Sequence, residues 1–127
     1  MKSNTFKWTT TDGIELFAKS WQHDSQAPKA VITLVHGLGE HIERYEHVAK
    51  VLTDEGYAIV GYDHRGHGKS GGNRGHFPSY EQFMDDVTLC HIPIARKPFS
   101  AFPVNSRLMA VSISFPVTMS KPRSWNV

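Results

Sequence analysis

From Val87 to Val127 the chain contains no aspartate, no glutamate and no glycine. All twelve acidic residues lie between Asp12 and Asp86, all ten glycines lie at or before Gly75, and five of the seven prolines fall in the last 41 residues. A folded α/β segment uses glycine at its strand-to-helix turns and acids at its helix starts, so this stretch is ill suited to continue one. Residues 88–127 are therefore expected to be a divergent, poorly ordered tail, out of frame or misjoined, following a domain over residues 1–87. Cysteine is scarce as well. Cys90 stands alone, which excludes an internal disulfide and fits a reducing compartment. No apolar run approaches the roughly 20 residues of a membrane helix, and residues 1–20 carry polar groups too often for a signal-peptide core. Net charge is only +2 with the basic residues scattered, which argues against a nucleic-acid surface. These absences together point to a cytoplasmic, soluble chain.

What is present reads as the front of an α/β domain. At 127 residues one domain is the default. Thr5–Thr10 and Ile14–Trp21 flank the turn signal Asp12-Gly13, which predicts an antiparallel hairpin. Ala30–Val35 is a continuous apolar run rich in β-branched residues, the pattern of a strand buried on both faces. Ile42, Tyr45, Val48, Ala49 and Leu52 fall at helical spacing, and Gly56 sits where a left-handed cap belongs. Tyr57–Tyr62 is the next strand, so strand, helix and strand form one right-handed parallel crossover. After a glycine-rich loop, Ser79 and Gln82 predict a capping box. The helix it opens would bury Tyr80, Phe83, Met84 and Val87 and end at Pro93 and Pro98. Beyond it, Leu108–Ser114 is the one strand-like stretch.

Directly after the buried strand comes His36-Gly37-Leu38-Gly39-Glu40-His41. An oxyanion hole needs backbone N–H groups aimed at a developing negative oxygen, with no side chain in the way. A glycine-bearing turn leaving a buried strand meets that need. Gly37 would form the turn and Leu38 would lend its N–H. An ordinary strand-to-helix turn is the competing reading until the later motifs are added.

Those motifs are Arg44-Tyr45, Gly56-Tyr57-Ala58-Ile59, Asp63-His64-Arg65-Gly66-His67-Gly68-Lys69-Ser70 and Arg74-Gly75-His76. In this order, over residues 5–87, the chain resembles the monoacylglycerol lipase and lysophospholipase branch of the α/β-hydrolase family. The resemblance implies a serine-nucleophile hydrolase of glycerol or related lipid esters. It also implies that the Asp63–Ser70 loop is chiefly structural. No cofactor and no metal are expected.

The remaining chemistry-bearing residues carry weaker signals. Gly68-Lys69-Ser70-Gly71-Gly72 satisfies G-x-S-x-G. However, Ser70 lies eight residues past the strand end at Tyr62 and is followed by Gly-Gly-Asn-Arg-Gly, which cannot start a helix as a nucleophile elbow requires. The phosphate-loop pattern around Gly-Lys-Ser fails too, because Asp63 stands where its first glycine belongs. His36, His41, His64, His67 and His76 could gather at one end of the sheet, but without the companions of a metal site they read as hydrogen-bonding histidines.

Ser112 occupies roughly the family's nucleophile place, one helix and one strand after the aspartate matching Asp86. It would be a degenerate nucleophile: Ala110 and Ser114 replace the elbow glycines, and no Asp, Glu or His follows it. The sequence thus describes a truncated α/β-hydrolase-type sheet, hairpin plus crossover, with an irregular tail. It is expected to be inactive by itself although its family acts on lipid esters. The rival expectation is a non-catalytic interaction module, self-associating or binding a partner strand through an open sheet edge.

Overall fold

The hairpin forms where alternating apolar residues can face one core. In the computed structural model, which describes residues 1–96 and 107–108, the last six of the first range and both of the second by backbone alone, β1 (Lys2–Thr9) pairs antiparallel with β2 (Glu15–Gln22). Asp12-Gly13 turns between them, and Thr10 Oγ1 accepts the Ile14 N–H at 2.9 Å. β3 (Ala30–Val35) and β4 (Ala58–Tyr62) run parallel, from Val31 opposite Ala58 to Val35 opposite Tyr62. Between them lie a 3-10 turn, Ile42–Tyr45, and α1 (Glu46–Asp54), so the expected helix is split into a tight first turn and a regular remainder. Gly56 closes it at φ +90°, the left-handed cap. α2 (Tyr80–Arg96) follows the glycine-rich loop, and β5 (Arg107–Leu108) pairs parallel with Ala30 and Val31. The sheet order is β1-β2-β4-β3-β5.

Period-two alternation along β3 and β4 divides the core. One face presents Ile32, Leu34 and Ile59, with Trp21 of β2, to Ile42, Tyr45 and Ala49 of the 3-10 turn and α1. The other presents Val31, Ala58 and Val60 to Phe6 and Trp8, while Leu16, Ala18 and Tyr62 meet Val87 and Cys90 of α2. Gly61 has no side chain for a reason of contact. A Cβ there would lie 2.1 Å from Ile42 Cδ1, so its absence lets the 3-10 turn seat directly on β4. Glu46 ties α1 to β2 by accepting from Trp21 Nε1 and Lys19 Nζ, each at 3.0 Å.

α2 departs from the apolar face that its sequence suggested. Tyr80 is 72% exposed and Met84 38%, whereas Asp86 and Cys90 are buried. The reason is charge. Arg65, itself buried, gives Asp86 two hydrogen bonds, Nε to Oδ2 at 2.7 Å and Nη2 to Oδ1 at 2.9 Å. A buried guanidinium must face a carboxylate, so the helix turns its Phe83–Asp86–Val87–Cys90 stripe inward and Tyr80 and Met84 roll to the flank. Asp12 completes the clamp from the hairpin turn at 2.7 and 3.0 Å, and the Arg65 guanidinium holds its carboxyl well below the usual range.

Ser79 caps α2 as expected, accepting the Gln82 N–H at 3.1 Å. The reciprocal half of the box does not form, because Gln82 Nε2 donates to Asp86 instead, at 3.3 Å. Nor does Pro93 end the helix, which continues to Arg96. A proline forfeits one N–H bond and crowds the preceding turn, and the neighbouring residues carry the helix past it. Pro98 and most of the expected strand, residues 109–114, lie outside the described residues.

Breaking the Arg65–Asp86 pair from one side leaves the buried guanidinium with the half-exposed Asp12 carboxylate as its remaining counter-charge. Asp86→Asn is expected to lower the unfolding free energy by about 3 kcal/mol, read as a shifted urea midpoint at unchanged slope. A shift within error of the parent chain contradicts the role assigned to this pair.

Candidate oxyanion site

At the ends of β3 and β4 two buried histidines exchange hydrogen bonds. The His64 N–H donates to His36 Nε2 at 3.0 Å, and His64 Nε2 donates to the His36 carbonyl at 2.8 Å. These contacts assign both tautomers. His36 accepts at Nε2 and so carries its proton on Nδ1, which donates to the Gly37 carbonyl at 2.7 Å. His64 donates at Nε2 and so accepts at Nδ1 from the Tyr62 hydroxyl at 3.1 Å. Every ring nitrogen of the pair is satisfied by a neutral imidazole. Burial pushes the His64 pKa down to about 3, helped by the neighbouring His36, and burial likewise lowers that of His36 despite Asp63 nearby.

The exchange orients the turn that follows β3. The Gly37 carbonyl takes His36 Nδ1 on one side and the Glu40 N–H, at 3.3 Å, on another. The Gly37–Leu38 peptide is trans, so its N–H points opposite to its carbonyl. With the carbonyl tied back, the Leu38 N–H is turned outward, and it has no hydrogen-bond partner among the described residues. The Gly37 N–H is spoken for by Glu40 Oε2 at 3.1 Å. Of the two turn residues that the sequence singled out, Leu38 has the available donor and Gly37 shapes the backbone.

Beside this turn lies an open depression of about 350 Å³, lined by Val35, His36, Gly37, Leu38 and His64 and walled by Phe83, Met84 and Val87 of α2. Met84, expected in the core, thus forms part of the rim. The sequence carried its signal, an apolar residue on a helix after the loop. Its facing depended on the Arg65–Asp86 pair. Ser112, the other residue singled out, lies outside the described residues.

The loop serine has a structural duty. Ser70 is buried, donates through Oγ to the Asp63 carbonyl at 2.5 Å and accepts the Phe17 N–H at 2.8 Å. Asp63 accepts the N–H groups of Ile42 at 2.6 Å and Lys69 at 2.8 Å, joining the loop to the 3-10 turn. Of the five histidines, the structure brings His36, His64 and His67 together, with ring centroids 4.1 to 6.1 Å apart, while His76 is exposed. His67 donates from Nδ1 to the Arg65 carbonyl at 3.0 Å and stacks on Phe77 at 5.4 Å. Among the described residues no group of three His, Cys, Asp or Glu side chains is placed to hold a metal ion.

The neutral histidine pair makes stability depend on pH with a definite sign. The unfolded imidazole titrates near 6.5 and the folded one of His64 near 3, so the unfolded chain binds the extra proton first as pH falls. The stabilisation is whole above pH 6.5 and declines below it by about 1.4 kcal/mol per unit for each such group. Urea unfolding is expected to show a loss of about 2 kcal/mol from His64 alone between pH 6.5 and 5. His36 adds a loss of the same sign. A midpoint that stays constant across that window contradicts the assignment.

Comparison with known proteins agrees with this geometry. The family described as serine aminopeptidase, S33 (Hydrolase_4) matches residues 26–104. Human monoglyceride lipase is 38% identical over 93 residues, which cover 73% of this chain and 30% of that protein. A monoacylglycerol lipase of Mycolicibacterium smegmatis is 39% identical over 74 residues, 58% of this chain and 26% of that one. The chain therefore spans less than a third of the length of these relatives. Among solved structures, a thermostable carboxyl esterase from Bacillus coagulans in complex with glycerol superposes with a TM-score of 0.66 at 21% identity, over 87% of this chain and 36% of that one, and shares the fold. A sheet with this order, a turn with a free N–H at the end of β3, and a match over most of the described residues place the chain in the α/β-hydrolase family of the serine aminopeptidase S33 type.

Proposed function

We propose that this chain supplies the oxyanion-binding half of a serine ester hydrolase acting on lipid esters of the monoacylglycerol or lysophospholipid class. The carrying observation is the Gly37–Leu38 peptide, whose carbonyl is tied back to His36 and Glu40 while the Leu38 N–H is left without a partner beside an apolar depression. In an acyl transfer the carbonyl oxygen of the ester gains negative charge in the tetrahedral intermediate. A preorganised N–H in a low-dielectric setting stabilises that charge at no reorganisation cost. The apolar wall of Phe83, Met84 and Val87 suits an acyl chain. The lipid substrate is also what the names of the human and mycobacterial relatives indicate for those proteins.

The reaction further requires a nucleophile, a base and a second oxyanion donor, which normally follows the nucleophile. Ser112 is the one residue in this sequence at the corresponding place, and neither acid nor histidine follows it. The 127-residue chain by itself is therefore read as inactive, and its single buried cysteine, Cys90, accords with a cytoplasmic setting. A second reading, an interaction module, is favoured by one feature. β5 pairs with Ala30 and Val31, and along Ile32–Val35 no described strand pairs with β3 on that side. Such an edge can accept a partner strand.

Two measurements separate these readings. The purified chain is expected to hydrolyse a short-chain nitrophenyl ester no faster than buffer and to leave a fluorophosphonate probe unreacted. Turnover abolished by Ser112→Ala overturns inactivity. Titrating the ¹⁵N-labelled chain with decanoate below its micelle concentration is expected to move the Leu38 amide resonance together with those of Val35 and Val87. Shifts that spare Leu38 sink the oxyanion reading, and a concentration-dependent rise in mass favours the module.

A further inference from the structure

We propose that Glu40 is the positioning residue of the oxyanion turn: it grips Gly37 from both sides and so sets the peptide plane that carries the Leu38 N–H. The inference rests on the reading of Leu38 as an oxyanion donor and adds the device that aims it. Gly37 is the weak point of the arrangement. Glycine has the freest backbone of any residue, and a rotation of the Gly37–Leu38 peptide would exchange the outward N–H for an outward carbonyl. An oxygen presented there would repel the developing oxyanion instead of stabilising it.

One residue prevents this at two points. The Glu40 side chain accepts the Gly37 N–H at Oε2, 3.1 Å, and the Glu40 backbone N–H donates to the Gly37 carbonyl, 3.3 Å. The first contact fixes the peptide before Gly37 and the second fixes the peptide after it. Held at both ends, the glycine keeps one pair of dihedral angles.

The carboxylate is itself held. The buried Tyr45 hydroxyl donates to the same Oε2, and Arg44 Nη1 lies 3.3 Å from Oε1. Tyr45 remains a donor throughout the physiological range, since burial and the adjacent carboxylate push its pKa up to about 12. Hydrogen bonds to a carboxylate are roughly twice as strong as neutral ones, which favours an acid over serine or asparagine at this place. Arg44 is well exposed, and its contact is the weakest of the three. His36 acts on the Gly37 carbonyl alone. Glu40 is the one residue bonded to both the N–H and the carbonyl of Gly37 among the described residues.

The test uses the ¹⁵N-labelled 127-residue chain and reads amide resonances and hydrogen exchange at Gly37 and Leu38. Glu40→Ala is expected to move both resonances and to speed Gly37 exchange by about tenfold or more, the factor that corresponds to one charge-assisted hydrogen bond. Glu40→Gln keeps an acceptor oxygen and is expected to restore most of the parent pattern, which a loss of general stability would not do. Tyr45→Phe, a buried near-isostere, is expected to give the same changes in smaller measure, and it decides the matter if Glu40→Ala does not fold. Unmoved Gly37 and Leu38 amides in whichever of these two variants folds overturn the proposal, as does a Gln variant indistinguishable from Ala. The readout needs neither turnover nor ligand. If decanoate fails to move Leu38 in the parent chain, the oxyanion reading falls by itself, and the Gly37 exchange rates still decide the role of Glu40.

Discussion

β3 and β4 leave the sheet side by side, and the bonds exchanged by His36 and His64 decide what the chain can do next. Each histidine uses one backbone group and one ring nitrogen on the other, and each spends its second ring nitrogen on a further anchor, the Gly37 carbonyl or the Tyr62 hydroxyl. His36 must be neutral to accept at Nε2, and burial keeps both rings neutral. Two strand ends are thereby joined beyond the last pair of the ladder, Val35 with Tyr62. The turn after β3 inherits a fixed starting direction, and the orientation of the Gly37–Leu38 peptide follows from it.

A second constraint works at a distance from that turn. Arg65 leaves the end of β4 into the interior, where its charge would be prohibitive without partners. Asp86 reaches it from α2 and Asp12 from the hairpin, so three segments far apart in sequence meet on one guanidinium. The pair adds definition more than net stability, because desolvating two ions offsets most of their attraction. What it defines is the rotation of α2. That rotation puts Phe83, Met84 and Val87 beside the turn after β3 and sends Tyr80 to solvent. A wall of the depression thus depends on an ion pair that lines none of it.

Much of this was legible in the residues. The hairpin, the buried strands, the crossover and the Gly56 cap follow from short-range pattern, because alternation, apolar runs and Asp-Gly turns act within a few residues. The turn at His36–His41 was legible for the same reason, being continuous in sequence and close to a strand end. The facing of α2 was not. Tyr80 and Met84 lie at good helical spacing with Phe83 and Val87, and apolar pattern ranks them above an aspartate. Only the position of Arg65, 21 residues away, reverses that order. Pro93 misled similarly, because a local breaker was set against a helix that continues on both sides of it.

The elements, their order and the glycine-bearing turn after a buried strand follow from the residues taken in line, since those depend on local sterics and on which residues avoid water. The folded arrangement alone takes up the Gly37 N–H and leaves that of Leu38 free. That choice is made by His36, Glu40 and, through His64, by the strand 28 residues onward. A hydrogen-bond donor is freed or consumed by whatever acceptor the fold brings within about 3 Å of it, and no pattern confined to one segment can report an acceptor that arrives from another.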